Sequence, residues 1–278
     1  MKKWVLLICL AVAGFAIIPD TSEGCWRRRR CHAVPCPPVV ICPIYAPVSA
    51  LPSVPTVTIR GKAYRLLDTV DQGRFEESPQ APTATAAGIS EDDTFAGEDR
   101  LVPKTTIVDG EAEDFATVAA LLKKLLKEFP DDKMAGMGIK KTTDKRVDAE
   151  KHNVRVTGFI HAFKKEGDND YHVILGDGPD ADNPVYLNVE VSGIPVGGTN
   201  ANRKRLVAVR EEFKQAFNLR RTGPSRYVRP HTPIPVRVTG SLFWDVDHAP
   251  GAVGPDDLKP ETSWEIHPIS EIEFLERQ

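Results

Sequence analysis

The sequence lacks the short motifs by which the common enzyme classes are recognised. It contains no G-x-S-x-G, H-E-x-x-H, Walker A or G-x-G-x-x-G pattern, so the usual support for a serine hydrolase, a zinc protease, a P-loop nucleotide hydrolase or a dinucleotide-binding enzyme is missing. It also lacks a large net charge, because 36 Lys and Arg stand against 39 Asp and Glu for a formal net charge of -3. A nucleic-acid-binding domain usually carries a basic surface, so generic nucleic-acid binding is not expected.

The apolar run at the start of the chain is too short for a comfortable transmembrane helix. Residues 4–18 follow Lys2 and Lys3, whereas about 20 apolar residues are needed to cross the hydrocarbon core. A basic start followed by a short apolar run is typical of a secretory signal. We therefore predict a signal peptide over residues 1–24 and a secreted or periplasmic protein, with no transmembrane span beyond this segment. An uncleaved anchor is the alternative.

Cysteine is scarce beyond the predicted signal peptide, and no C-x-x-C pair occurs. An even number of cysteines in an exported chain favours disulfides, but the sequence leaves the pairing open for Cys25, Cys31, Cys36 and Cys42. His32 beside Cys31 keeps a metal-binding tract as an alternative. Prolines accumulate in the same stretch. Because proline fixes φ and has no amide donor, we predict a Cys/Pro-rich stalk over residues 25–60.

The following segment has few apolar side chains with which to form a core. Residues 61–110 are rich in Ala, Thr, Pro, Gly and acidic residues, so we predict a disordered acidic linker. Apolar residues return at helical spacing in residues 111–146, at Phe115, Val118, Leu122, Leu125 and Phe129. Acidic residues from Glu111 onward suit a helix N-terminus, and Pro130 would end the helix. We predict an amphipathic helix and connector that dock onto a folded domain of residues 147–278.

Alternating apolar residues predict five β-strands in this domain. In chain order, their apolar positions are Val154, Val156, Ile160 and Ala162; Tyr171, Val173 and Leu175; Val185, Leu187, Val189 and Val191; Ile234, Val236, Val238, Leu242 and Trp244; and Ile269, Ile272 and Phe274. Between the third and fourth strands, Asn202 can cap a helix with an apolar stripe at Leu206, Val209, Phe213 and Phe217. This order predicts a mainly β fold, a five-stranded OB-like Greek-key barrel with one helix between strands three and four.

An internal repeat supports the barrel. The pentapeptide Val-Arg-Val-Thr-Gly occurs at residues 154–158 and again at residues 236–240. The two copies would lie in neighbouring strands of an OB barrel, and Gly158 and Gly240 would allow a bulge or sharp bend in each. A chance recurrence of residues common in strands is the alternative.

Two further motifs stand in the predicted domain. They are Asp168-Asn169-Asp170-Tyr171-His172 and Trp264-Glu265-Ile266-His267-Pro268, the second preceded by Gly240-Ser241-Leu242-Phe243-Trp244-Asp245-Val246-Asp247-His248. Together they resemble the D-x-D-Y-H turn and terminal W-E-I-H-P signature of small exported bacterial domains with an OB-like fold, most of them uncharacterised. The resemblance covers residues 147–274. It implies a fold and a family, and it transfers no catalytic role.

These motifs contain the candidate site residues. Asp170 and His172 are two apart, as are Glu265 and His267, so the members of each pair point to the same face of their strand. If Asp247 and His248 approach from the loop after the fourth strand, carboxylates and imidazoles converge as in a divalent-metal or acid/base site. The candidate metal ligands are His172, Glu265 and His267. The alternative is that the histidines have a structural role.

Two tryptophans complete the candidate ligand-binding set. Trp244 and Trp264 could stack on a sugar or base, although packing in the core is an alternative role for both. We predict an exported, envelope-associated OB-like binding or interaction module of unknown ligand or partner, without catalytic activity. The alternatives are a hydrolase that depends on a divalent metal at the barrel rim, and a purely structural envelope protein.

Overall fold

The computed structural model describes residues 55–68, 89–179, 181–219 and 223–276. In these residues the protein is mainly β, with nine strands and four α-helices. The strands are β1 (Thr56–Ile59), β2 (Lys62–Asp68), β3 (Ala112–Phe115), β4 (Asn153–Lys165), β5 (Tyr171–Gly176), β6 (Tyr186–Val191), β7 (Val228–Pro230), β8 (Ile234–Trp244) and β9 (Trp264–Phe274). The helices are α1 (Leu101–Thr105), α2 (Val118–Glu128), α3 (Asp131–Ala135) and α4 (Asn200–Ala216).

Five of the strands close into a barrel. β4 pairs with β5, β5 with β6, β6 with β9, β9 with β8, and β8 returns to β4. The pairing of β6 with β9 is parallel and the other four are antiparallel. Each of the five strands therefore pairs with a barrel strand on both sides. Closure of this kind is a usual way in which a small sheet avoids edge-to-edge aggregation.

The two copies of the repeated pentapeptide pair directly with each other. Val154 of β4 lies opposite Gly240 of β8, Val156 opposite Val238, and Gly158 opposite Val236. A Cβ added to Gly240 would lie 2.5 Å from Ile266 Cγ2 and 2.6 Å from a backbone oxygen. Glycine is therefore required at residue 240 by the close approach of β9, and the register of β9 shifts at the same place.

The bulge in β4 lies beyond the predicted position. Gly158 retains regular pairing, whereas the register with β5 shifts between Ile160 and Ala162. Glycine is favoured at residue 158 for a different reason, which is the lack of space for a side chain. A Cβ there would lie 3.0 Å from Gly176 O and from side-chain atoms of Leu175 and Val118. The glycine in the motif thus permits close packing of α2 and β5 against β4.

The helices pack through the predicted apolar stripes but begin at different residues. Thr117 caps α2 by accepting a hydrogen bond from Ala120 N at 3.0 Å. Residues 112–115, which were expected to lie in this helix, instead form β3, parallel to β4. Thr199 caps α4 in place of Asn202, whose side chain bonds the backbone of residues 105 and 107. In both cases the threonine hydroxyl supplies the acceptor that the first turn of a helix lacks.

The predicted linker was wrong at both of its ends, and the predicted stalk was wrong at residues 56–59, which form β1. β1 and β2 form a hairpin that extends the sheet through β7, and Tyr64 and Leu66 of β2 are buried. Residues 89–110 pack on the barrel, with Phe95 and Arg100 buried. Composition misleads here because few apolar residues are present, and the segment is ordered instead by hydrogen bonds and ion pairs to distant residues. The middle of the linker, the stalk cysteines and the signal segment lie outside the described residues.

None of the described helices has the length and apolar content needed to cross a membrane.

Candidate metal centre

The candidate site lies on the side of the barrel sheet that faces away from the main hydrophobic core. Side chains alternate between the two faces of a strand, so Tyr171 and Val173 of β5 enter the core while His172 points to the opposite face. The register places polar residues on either side of it. Lys164 of β4 lies opposite His172, and Glu190 of β6 lies opposite His172 on the other side.

The neighbouring strand continues this polar row. Asn188 of β6 lies opposite Glu265 of β9, and its Nδ2 donates to Glu190 Oε1 at 2.8 Å and to Glu265 Oε1 at 2.9 Å. His267 follows two residues after Glu265, so it lies on the same face. Charged and polar side chains therefore form a row across β4, β5, β6 and β9.

Other segments cover this row and add charges to it. Lys104 comes from α1, Asp245 and His248 come from the loop after β8, and Glu166 and Asp170 come from the turn between β4 and β5. We call the resulting set the polar cluster: Lys104, Lys164, Glu166, Asp170, His172, Asn188, Glu190, Asp245, His248, Glu265 and His267. None of its members is more than 7% exposed. The polar cluster is therefore shielded from water, which makes uncompensated charges within it costly.

The turn between β4 and β5 positions two of the carboxylates. Asp168 Oδ1 accepts a hydrogen bond from Asp170 N at 3.0 Å, and Asn169 has a positive φ of 74° that Asn tolerates better than most residues. Glu166 N donates to Asp170 O at 2.8 Å. The Asp-Asn-Asp sequence thus forms a tight turn that directs Glu166 and Asp170 towards the histidines.

Two histidines face the same carboxylate from opposite sides. His172 Nε2 lies 2.9 Å from Glu190 Oε1, and His267 Nδ1 lies 3.1 Å from Glu190 Oε2. The second ring nitrogen of each histidine faces a separate carboxylate. His172 Nδ1 lies 3.0 Å from Glu166 Oε1, and His267 Nε2 lies 3.1 Å from Asp170 Oδ2.

The third histidine, His248, also has carboxylates beside one of its ring nitrogens. His248 Nδ1 lies 2.7 Å from Glu265 Oε1 and 3.5 Å from Asp245 Oδ2. Its ring meets that of His172 edge to face, with 5.1 Å between the centroids. One ligand atom each from His172, Glu190 and His248 lie within 4.8 Å of one another. Two further such groups are Asp170, Glu190 and His267, and Asp245, His248 and Glu265.

Electrostatics divide the histidines into two kinds. Burial opposes the charged form of His172, but Glu190 and Glu166 outweigh it and raise its pKa well above the ordinary value. Burial likewise opposes a charge on His248, yet Asp245 and Glu265 raise its pKa to about 9. In the absence of a metal ion, protons on these two rings therefore offset part of the negative charge of the carboxylates.

His267 behaves differently because burial dominates. Burial lowers the pKa of His267 to about 4, although Glu190 favours its charged form. Burial, reinforced by Glu190, raises the pKa of Asp170 well above its ordinary value and that of Glu265 to about 7. His267 is thus a neutral imidazole, and two of the carboxylates around it, Asp170 and Glu265, lack compensating charge.

The side chains present match a divalent-metal centre. Imidazole and carboxylate groups are the ligands of many zinc sites, including sites with two His and one Glu. The five carboxylates of the polar cluster face two lysine ammonium groups, so a divalent cation would reduce an excess of buried negative charge. Several buried atoms also lack a hydrogen bond within the described residues, among them Glu190 Oε2, Glu265 Oε2 and both ring nitrogens of His267.

The structure brings together five of the eight residues predicted from the sequence. Asp170, His172, His248, Glu265 and His267 all belong to the polar cluster. Asp247 lies at its edge, where its carboxylate pairs with Lys141 Nζ at 2.7 Å. Asp245 takes the place expected for Asp247, because it accepts the hydrogen bond from Asp247 N and turns its other oxygen inward.

The two tryptophans have core positions. Trp244 and Trp264 lie opposite each other in β8 and β9 and are buried in the hydrophobic core. Their indole nitrogens donate to Asp131 Oδ1 at 2.9 Å and to Phe129 O at 2.8 Å. Neither ring face is open to a ligand, so of the two roles weighed from the sequence the structure supports packing.

Sequence reasoning missed Glu190, which has a central position in the polar cluster. In β6 it alternates with the apolar Val189 and Val191, a pattern that usually marks a solvent-facing acid. The burial of this face by residues 89–105 and 245–262 was not visible in the local pattern. The sequence signal for Glu190 is an acidic residue among alternating apolar residues. Only the segments that cover this face show that the acid is buried and not exposed to solvent.

Comparison of the chain with family models, curated proteins and solved structures finds no match.

Proposed function

We propose that this protein is an OB-like binding module whose polar cluster holds a divalent metal ion, with zinc the best-fitting candidate. The OB assignment is supported by the strand order β4-β5-β6-β9-β8 around the barrel and by the parallel pairing of β6 with β9. It is also supported by the position of α4 in the chain between the third and fourth barrel strands. The resemblance of the two sequence motifs to exported OB-like domains points the same way.

The proposed ligands of the ion are His172, Glu190 and His248. The observation that carries the proposal is that these three side chains converge within 4.8 Å while fully shielded from solvent. Both histidines have a carboxylate beside the other ring nitrogen, Glu166 for His172 and Glu265 for His248. Such a carboxylate fixes the orientation of the ring and strengthens it as a ligand, and it commonly accompanies metal-binding histidines.

The burial of the site favours binding over catalysis. A catalytic metal keeps a coordination position open to substrate, whereas His172, Glu190 and His248 are at most 3% exposed. The part of an OB barrel that usually binds a ligand, its second and third strands, corresponds to β5 and β6. In this protein that face is covered by the protein's own segments, so an ion fits there and a larger ligand does not. The metal-dependent hydrolase alternative would require these segments to move.

The location of the protein remains a proposal from its sequence. The basic and apolar start of the chain supports export, and the four cysteines of the stalk support an oxidising compartment. In this proposal the barrel is an envelope-associated module without catalytic activity. A metal ion would cross-link the segments that cover the barrel, which is a structural role.

The metal content of the purified full chain tests the proposal. The protein should retain zinc through dialysis against metal-free buffer, as measured by mass spectrometry of the metal. His172→Ala and His248→Ala should each lower the zinc affinity of this site about 10-fold or more, because each removes a ligand. His152→Ala is the matched control, since His152 is exposed, and it should retain zinc as the wild type does.

Absence of retained zinc, manganese and other divalent ions in wild-type protein that melts cooperatively would sink the proposal. Equal loss from His152→Ala and His172→Ala would do the same, because it would indicate non-specific binding by histidine. Circular dichroism of each variant checks that the barrel is folded.

A further inference from the structure

We infer that the polar cluster holds a second divalent ion beside His267 and that Glu190 bridges the two ions. This inference rests on the proposed function and deepens it, since it predicts a site for two metal ions where the proposal above requires one. Its ligands would be His267 Nδ1, Glu190 Oε2 and Glu265 Oε2.

Glu190 lies between two histidines of the polar cluster. Its two oxygens face different histidines, Oε1 towards His172 Nε2 at 2.9 Å and Oε2 towards His267 Nδ1 at 3.1 Å. A carboxylate that binds one ion through each oxygen is a common bridge in sites that contain two metals. The first ion would use Oε1 together with His172 and His248, which leaves Oε2 directed at His267.

His267 and two neighbouring carboxylates have buried polar atoms without hydrogen bonds. Within the described residues, neither of its ring nitrogens has an aligned hydrogen bond, although its side chain is completely buried. Glu190 Oε2 and Glu265 Oε2 also lack a hydrogen bond, and the latter lies 3.9 Å from His267 Nδ1. Buried polar atoms without partners are rare and costly. Glu190 Oε2 and Glu265 Oε2 lie 3.1 Å and 3.9 Å from His267 Nδ1, so one cation beside this nitrogen would give all three atoms a partner.

The environment of the second ring nitrogen fits this assignment. His267 Nε2 lies 3.1 Å from Asp170 Oδ2, so Asp170 would orient His267 as Glu166 orients His172 and Glu265 orients His248. Each of the three histidines then has one nitrogen for an ion and one nitrogen beside a carboxylate. Repetition of this arrangement indicates that His267 belongs to the same kind of site as the other two.

The charge of the polar cluster also accommodates a second ion. Its carboxylates are Glu166, Asp170, Glu190, Asp245 and Glu265, and its ammonium groups are Lys104 and Lys164. With neutral histidines this set carries three negative charges. One divalent ion leaves one negative charge and two leave one positive charge, so both states are near balance.

Metal counting on the full chain tests the inference. The wild type and His152→Ala should retain two zinc ions per chain, and His267→Ala should retain one. A single zinc ion in the wild type that is lost from His172→Ala and kept by His267→Ala would refute the second ion and leave the proposed function standing. No zinc in the folded wild type would refute both.

A measurement on the wild type alone covers the case in which His267→Ala does not fold. Protein loaded with Mn²⁺ to saturation should show the electron paramagnetic resonance spectrum of two exchange-coupled ions, because Glu190 would connect them. Only the spectrum of isolated Mn²⁺ at saturation would overturn the bridge. Glu190→Gln should convert a coupled spectrum to an uncoupled one or abolish binding, whereas retention of the coupled spectrum would show that Glu190 is not the bridge.

Discussion

Arg100 is the buried residue that most clearly joins the N-terminal segments to the barrel. Its guanidinium donates to Glu150 Oε1 at 2.8 Å and Oε2 at 2.9 Å, and also to Trp244 O at 2.9 Å. Both members of the ion pair are at most 1% exposed. Glu150 accepts two further hydrogen bonds, from the backbone of Val147 and Trp244. A buried pair with this many hydrogen bonds has its charges well compensated.

Replacing Arg100 should therefore destabilise the protein strongly. Arg100→Met would leave the Glu150 carboxylate buried without its partner, and we expect the free energy of unfolding to fall by about 3–5 kcal/mol. Urea denaturation at neutral pH measures this change. The matched control is Arg237→Met, which breaks an exposed pair with Glu273 and should cost about 0–1 kcal/mol. Similar losses for the two variants would contradict the structural role of Arg100.

At the scale of elements, α4 holds the segment before α1 against the barrel. Asp93 Oδ1 accepts from Arg210 Nε at 2.7 Å, and Asp93 Oδ2 accepts from Lys214 Nζ at 2.8 Å. Arg210 itself is 1% exposed and lies over the ring of Tyr171. The contact therefore joins residues that are 117 positions apart in the chain, and it orders a segment that has few apolar residues of its own.

The Asp93 contact predicts a pH dependence of stability. Burial opposes its charged form, but hydrogen bonds from Lys214 and Arg210 lower the pKa of Asp93 to about 2. Because the folded pKa lies below the unfolded value of 3.8, the stabilisation is complete above pH 5 and is lost as the pH falls through 4 towards 2. Asp93→Asn should cost on the order of 1–2 kcal/mol at pH 7, after allowance for partial solvent screening.

Urea denaturation of the wild type and Asp93→Asn at a series of pH values checks this. The gap between the two proteins should narrow below pH 4. Asp148→Asn is the control, since Asp148 is exposed in a pair with Lys151. A gap for Asp93→Asn that stays constant down to pH 2 would mean that its carboxylate charge does not contribute to stability.

At the scale of the whole molecule, the polar cluster collects residues from α1, the turn after β4, four barrel strands and the loop after β8. An ion bound at His172, Glu190 and His248 would connect β5, β6 and that loop. A ligand that binds only the folded state stabilises it by about 2.7 kcal/mol at a free concentration 100-fold above its Kd. Metal binding should therefore appear in the global stability of the protein.

Thermal unfolding of the full chain tests this expectation. Zinc in such excess should raise the Tm by about 5–10 °C relative to protein in chelator. His172→Ala should gain less in Tm from zinc than the wild type does, because it lacks a ligand of the ion held by Glu190 and His248. Magnesium serves as the control ion, because it prefers oxygen ligands and should leave the Tm unchanged. An equal response of His172→Ala and the wild type to zinc would contradict the proposed ligand set.

Much of the barrel was predictable because its signals are local. Alternation of apolar residues depends only on the two-residue period of a strand, and all five predicted strands correspond to β4, β5, β6, β8 and β9. The fifth was placed too late, because its apolar positions were assigned from Ile269 onward whereas β9 begins at Trp264. The apolar stripe of α4 was also predicted from its helical spacing, and its residues Leu206, Val209 and Phe213 are buried.

The sequence by itself thus determined which segments form the five barrel strands and which histidines and acids share a strand face, because side chains alternate along a strand with a period of two residues. Only the tertiary structure decided that Glu190 lies between His172 and His267 and that Asp245 turns inward in place of Asp247. It also decided that residues 89–105 cover the site. These outcomes depend on strand register and on ion pairs between residues far apart in the chain, such as Arg100 and Glu150, and no local pattern contains that information.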